Sequence, residues 1–167
     1  NANTSNVYKL VTNVSELTTD GTLFIIANKE QGTALCKNFY TLNKSHDNLV
    51  EMQPYGDFFI INEKIATFKL EIVGKDNDKK YLFQLEPYKD SYGNSGYLSC
   101  LANYQLSLQS KSNSYIDVKE IDNKGKAYLK RQGPAANLGF YNNNTIHFIY
   151  DYNKYVYIYK SITPSLT

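Results

Sequence analysis

Two stretches of this chain repeat one phrase, Gly96-Tyr97-Leu98-Ser99-Cys100 and Gly125-Lys126-Ala127-Tyr128-Leu129-Lys130. Each is a glycine turn that launches a strand carrying Tyr-Leu. Each is followed by an Asn and a second apolar run, Asn103-Tyr104-Gln105-Leu106-Ser107-Leu108 in one case and Asn137-Leu138-Gly139-Phe140-Tyr141 in the other. A weaker copy lies near the start, Gly21-Thr22-Leu23-Phe24-Ile25-Ile26-Ala27-Asn28, followed by Ala34-Leu35-Cys36. Internal repetition restricts a chain to fewer architectures than any single motif does. Read as three units of roughly four strands, the copies predict an all-β, barrel-like fold of the β-trefoil type. The copies are unevenly spaced, 75 residues from Gly21 to Gly96 and 29 from Gly96 to Gly125. That keeps a two-sheet β-sandwich as the alternative. An insertion near 41–55 would enlarge the first unit.

The local pattern agrees with an all-β reading. Alternating apolar and polar residues, bounded by Gly, Asn and Asp clusters, predict strands over 7–12, 23–28, 34–37, 58–61, 66–73, 81–86, 96–101, 105–109, 114–121, 127–130, 138–141, 146–150 and 155–160. One helical turn is expected over 13–18, capped by Asn13 or Ser15 and ended by Asp20-Gly21. No low-complexity linker divides the chain. The expected organisation is a polar leader over 1–6, a single domain over 7–160 and a C-terminal tail over 161–167. The leader, Asn1-Ala2-Asn3-Thr4-Ser5-Asn6, has the look of a trimmed or processed terminus.

Composition narrows the functional classes. At 167 residues the chain is long enough to bury a real core, and 42% hydrophobic with 20% charged residues suits an ordered domain. A net charge of +2 and a single Arg leave no electrostatic footprint for nucleic acid, and no Lys/Arg run exceeds two residues. Forked guanidinium recognition of phosphate or guanine is nearly unavailable to such a chain. No apolar run is long enough for a membrane-spanning helix. Cys36 and Cys100 are an even pair whose spacing carries no framework signature, and both sit in apolar segments, so two buried thiols are expected over a disulfide.

Catalytic constellations are sparse. His46 lies in a polar loop and His147 in a strand between Ile146 and Phe148. Neither comes with a nucleophile motif, and no Cys-x-x-Cys is present, so hydrolytic triads, zinc and cofactors are not expected. Asp76-Asn77-Asp78 has oxygen ligands for calcium but too few at set spacing, and reads as a solvated turn. Glu86 with Asp90, and Asp117 with Glu120, are carboxylate pairs whose meeting in one cleft the sequence does not establish.

The skewed aromatic content is more telling: 16 Tyr and 8 Phe with no Trp. Tyr suits half-buried strands, with its ring inward and hydroxyl outward. Its ring can also stack on a pyranose face, and Asn is a two-way hydrogen-bond partner for sugar hydroxyls. Three candidate patches combine the two: Tyr88, Tyr92 and Asn94; Asn103 and Tyr104; and Tyr141, Asn142 and Asn144. Tyr97 and Tyr128, inside the repeated phrases, are expected to be packed, leaving function to the loops that follow them.

Three passages carry a family likeness: Val7-Tyr8-Lys9-Leu10-Val11-Thr12-Asn13-Val14-Ser15-Glu16-Leu17 with Asp20-Gly21 and Leu23-Phe24-Ile25-Ile26; Gly96-Tyr97-Leu98 with Leu106-Ser107-Leu108; and Asn137-Leu138-Gly139-Phe140-Tyr141-Asn142 with Phe148-Ile149-Tyr150 and Val156-Tyr157-Ile158-Tyr159-Lys160. Over 7–160 the chain resembles a secreted or surface accessory β-domain of gut Bacteroidetes, of a kind appended to extracellular nucleases and lipoproteins. The resemblance implies an accessory module without a catalytic centre. The chain departs from that pattern in having no Trp on its strands, where Phe68, Phe83 or Tyr115 stand instead. The expected function is a non-catalytic carbohydrate-binding or adhesin-like module, secreted or displayed on a cell or virion surface, with a glycan or a surface protein as partner. The alternative is a structural or protein-interaction module that self-assembles or attaches to a larger protein.

Overall fold

The computed structural model describes residues 6–133 and 135–162. Of the expected leader and tail, residues 1–5 and 163–167 lie outside the described residues, as does Pro134 of the expected Gly133-Pro134 turn. The chain is all-β. Its strands are β1 (Val7–Leu10), β2 (Leu23–Asn28), β3 (Thr33–Leu35), β4 (Leu49–Glu51), β5 (Gln53–Tyr55), β6 (Phe58–Ile60), β7 (Thr67–Val73), β8 (Lys80–Glu86), β9 (Tyr97–Cys100), β10 (Leu106–Gln109), β11 (Ile116–Ile121), β12 (Lys126–Arg131), β13 (Ala136–Asn142), β14 (Thr145–Ile149) and β15 (Val156–Ser161). The expected helical turn is a 3₁₀ turn, Val14–Glu16, and Asn13 caps it by accepting the Ser15 amide at 2.9 Å.

Six strands pair in a closed ring. β2 pairs with β7, β7 with β8, β8 with β11, β11 with β12, β12 with β15, and β15 returns to β2, every pair antiparallel. Closure leaves none of the six an open edge. Each of three ring strands then carries a hairpin: β3–β4 on β2, β9–β10 on β8, and β13–β14 on β12. Three units result, formed by β2, β3, β4 and β7, by β8 to β11, and by β12 to β15. This is the barrel-like, three-unit arrangement, but its boundaries correct the repeat. Gly125 precedes ring strand β12, whereas Gly96 precedes hairpin strand β9. The twin phrases are therefore not counterparts. The strands that open the units begin at Leu23, Lys80 and Lys126, a spacing of 57 and then 46 residues. The gaps of 75 and 29 came from matching a hairpin strand to ring strands.

The remaining strands are additions. β1 pairs with β15 and β6, and β5 with β6. They explain why Leu-Phe-Ile-Ile-Ala-Asn in β2 shows no alternation. Phe24 and Ile26 point to the main core, where they meet Phe68, Leu70, Phe83 and Leu129. Ile25 and Ala27, on the opposite face, join Tyr8, Met52, Tyr157 and Tyr159 in a second core beneath the added strands. A strand buried on both faces reads as a continuous apolar run. Cys36 and Cys100 are both free and buried.

A candidate ligand site at the hairpin tips

The ring brings the three hairpins to one another. Their connections are the long loop 36–48, the turn 101–105 and the tight turn at Asn143 and Asn144. Asn48 joins the first to the third: its Nδ2 donates to the Ile146 carbonyl at 2.8 Å and its Oδ1 accepts the Ile146 amide at 2.9 Å. The side chain thereby imitates a strand neighbour, and the Asn144 carbonyl accepts the Asn48 and Leu49 amides as well. The second hairpin joins the third through the Phe148 amide, which donates to the Tyr104 carbonyl at 3.2 Å. Tyr104 adopts a left-handed backbone with φ of 71°, which points that carbonyl across the gap. Lys44, from the first loop, places its Nζ 5.7 Å from the centroid of the Tyr104 ring.

Between these tips lies a cavity of about 490 Å³ lined by Lys44, Asn103, Gln105, Tyr141, His147 and Ile149, among others. All three units contribute to it. Tyr141 is 64% exposed, and its ring lies 5.1 Å from the His147 ring at 33°. His147 itself is buried. Its Nδ1 lies 2.9 Å from the Phe148 carbonyl, so that nitrogen carries the proton and Nε2 is the acceptor. Burial lowers the His147 pKa, opposed by that hydrogen bond and assisted by the Lys44 and Lys154 charges. The imidazole is consequently neutral at pH 7, and provides a flat, uncharged backing to Tyr141. Asn103 spends its Oδ1 on the Gln105 amide at 3.0 Å, which leaves its amide nitrogen as the donor. The cavity thus combines one exposed ring with amide groups and a single cation.

The sequence-predicted residues distribute unevenly around it. Asn103 and Tyr141 line the cavity, and Tyr104 supports it from the second hairpin. Asn142 and Asn144 serve the tight turn: Asn142 Oδ1 accepts the Asn144 amide at 2.8 Å. Tyr88, Tyr92 and Asn94 are elsewhere, in the loop between β8 and β9. The Tyr88 ring covers Gly96, where a Cβ would sit 2.9 Å from it, and meets Tyr40 edge-on at 5.5 Å. Tyr92 is 88% exposed, and Asp90 organises this loop by accepting the Tyr92 and Asn94 amides, each at 2.8 Å. Those bonds, the Asn94 amide first, hold the Asp90 carboxyl below its ordinary pKa. Tyr97 and Tyr128 are half-buried, and each lines a groove on the side of the molecule. They are presented more than their place in the repeat suggested.

Lys44, Gln105 and His147 were not among the sequence candidates. Lys44 and His147 are 103 residues apart, and only the hairpin pairing unites them. His147 follows the alternation of β14 like any strand residue, so no periodicity singles it out.

Members of the expected carboxylate pairs take other partners. Asp117 forms an ion pair with Lys80 at 2.9 Å, and Glu86 accepts from Gln84 at 2.6 Å. Asp76–Asp78 is a 3₁₀ turn at the surface, with Asp78 ion-paired to Lys80 at 3.3 Å. Among the described residues, no three His, Cys, Asp or Glu side chains gather closely enough to hold a metal ion. Also among them, no helix is long and apolar enough to cross a membrane. Comparison with protein-family models, with curated proteins and with solved structures found no match to this chain.

Proposed function

We propose that this chain is a non-catalytic glycan-binding module, adhesin-like in role and working at a cell or virion surface or after secretion. The observation that carries the reading is the exposed Tyr141 ring, backed by neutral His147 and flanked by Asn103 and Gln105 at one cavity. A sugar ring has an apolar face and an equatorial rim of hydroxyls. An aromatic plane with carboxamides beside it matches both. The cavity's volume falls in the range of small-molecule sites, about 300–1,000 Å³. Glycan-array screening followed by titration calorimetry tests this reading. The expected result is saturable binding of at least one oligosaccharide class, weakened at least tenfold in Tyr141→Ala. Absence of binding at millimolar ligand would reject it.

A second reading, a protein-interaction module, draws on the exposed Tyr92, Tyr150 and Tyr152, since Tyr is enriched at interfaces. It predicts concentration-dependent self-association or a stable complex with a surface protein, and sedimentation of a single monomeric species with no partner captured would count against it.

A further inference from the structure

Between β11 of the second unit and the third unit lies another depression, apart from the hairpin-tip cavity, with a volume of about 500 Å³. Lys119, Glu120, Tyr128, Lys130, Asn137 and Tyr152 line it. Its construction differs from the corresponding places in the other units. Strand register makes Asn137, opposite Lys130, the counterpart of Tyr97 opposite Gln84 and of Ala34 opposite Ala27. Only the third unit places a carboxamide there.

That Asn137 is buried, at 1% exposure. Its Nδ2 donates to the Tyr152 and Lys154 carbonyls at 3.2 and 3.0 Å, which fixes the turn carrying Tyr152 and Asn153. Among the described residues its Oδ1, itself closed to solvent, has no hydrogen-bond partner. A buried acceptor left without a donor is costly, and native structures seldom keep one without a reason. Across the depression, β11 carries a bulge. Val118 pairs with Leu129 and Glu120 with Tyr128, so Lys119 is the extra residue, and Lys119 and Glu120 are consecutive exposed positions. Bulges re-aim side chains in this way. Lys130 sits with Nζ 5.1 Å from the centroid of the Tyr152 ring, and Tyr152 is 55% exposed.

The charges are uncommitted. In the second unit's comparable groove, Lys111 is ion-paired with Glu71, and Asp90 is occupied by its own loop. Among the described residues, Lys119, Glu120 and Lys130 form no ion pair. Two ammonium groups against one carboxylate, beside two tyrosine rings, that of Tyr152 on a turn that Asn137 holds in place, make a specific combination. The rings suit an apolar sugar face, Glu120 suits a hydroxyl donor, and the lysines suit an acid group.

We propose that this flank is a second binding site, selective for a carboxylate-bearing saccharide such as a uronic acid or a sialic acid residue. The proposal shares the glycan-binding reading in its ligand class alone, and no residue of the hairpin-tip cavity takes part in it.

The test is titration of the full chain with a galacturonate tetrasaccharide, its methyl ester, sialyllactose and lactose, followed by backbone amide chemical shifts. The expected result is saturable binding of at least one acidic saccharide, at least tenfold tighter than its neutral match, with the shifts centred on 119–120, 128–130, 137 and 152–153. Binding is expected to fall at least tenfold in Tyr152→Ala and in Lys119→Ala/Lys130→Gln, and to persist in Tyr141→Ala. Both flank variants replace side chains that are not core residues, and their amide spectra report whether the fold is retained. Equal affinity for acidic and neutral members, or shifts that follow Tyr141 and vanish in Tyr141→Ala, would overturn this site while leaving the hairpin-tip reading intact. Loss at the hairpin tips with retained acidic-saccharide binding on the flank would do the reverse. No binding of any of the four would overturn the flank site.

Discussion

Arg131 is the only arginine of the chain, and it is buried. Its Nε donates to Ser99 Oγ at 2.9 Å and its Nη2 to the Asn113 carbonyl at 2.7 Å, while Nη1 serves the Gln132 and Gly133 carbonyls. The guanidinium thus ties the second unit to the third from within. Among the described residues its hydrogen-bond acceptors are all neutral oxygens and it forms no ion pair, so the forked geometry holds it. Lysine has neither the fork nor the reach to satisfy these acceptors together. Arg131→Lys is expected to cost about 2–4 kcal/mol in urea unfolding; a loss below half a kcal/mol would mean the hub is not rigid. The second residue-scale expectation concerns His147. Burial lowers its pKa in the folded chain, while the unfolded chain protonates it near the ordinary value of about 6.5. Below that value the unfolded state binds more protons, so stability falls as pH drops from about 7 toward 5. Melting temperatures over this range should show that slope in the wild type and a flatter one in His147→Gln. An unchanged slope would assign the titration to another group.

Single contacts decide how the elements sit together. Asn48 supplies both halves of a backbone-like pairing to Ile146 from inside the molecule. Asn48→Ala leaves a buried carbonyl and a buried amide unpaired, at an expected cost of about 2–4 kcal/mol by denaturant unfolding. Asn48→Asp keeps the acceptor and loses the donor, and should fall between. Gly125, which opens β12, has φ of 93°, and a Cβ there would sit 2.7 Å from Leu10 Cδ1 of β1. Gly125→Ala therefore carries both backbone strain and a clash, with an expected loss of about 1–3 kcal/mol measured as a lower melting temperature. At this scale much was legible. The strand over Leu23–Asn28 falls where its apolar run predicts, and Asn13 caps the turn that its type and place suggest. The short strands β4 and β5 went unread inside the expected insertion over 41–55, because Gln-Pro-Tyr in β5 has no apolar alternation and the strand is exposed throughout. The Gly-Tyr-Leu phrases misled because a glycine turn followed by a half-buried Tyr serves ring strands and hairpin strands equally well.

For the whole molecule, closure of the six-stranded ring is what converts three modest hairpins into one site. Tyr141 and Asn103 were recognisable as candidates because Tyr beside Asn in a turn is a local pattern. Lys44, Gln105 and His147 were not, since their meeting depends on the pairings of Asn48 with Ile146 and of Tyr104 with Phe148, between residues far apart in the chain, which no local pattern records. The same closure implies that the units unfold together. The most direct measurement of the central claim is amide chemical-shift mapping of the intact chain during titration with the best oligosaccharide from an array. Saturable shifts focused on 43–45, 103–105, 141 and 147–149, and abolished by Tyr141→Ala, are the predicted result. Shifts that never saturate at millimolar ligand, or that avoid all three hairpin tips, would contradict it.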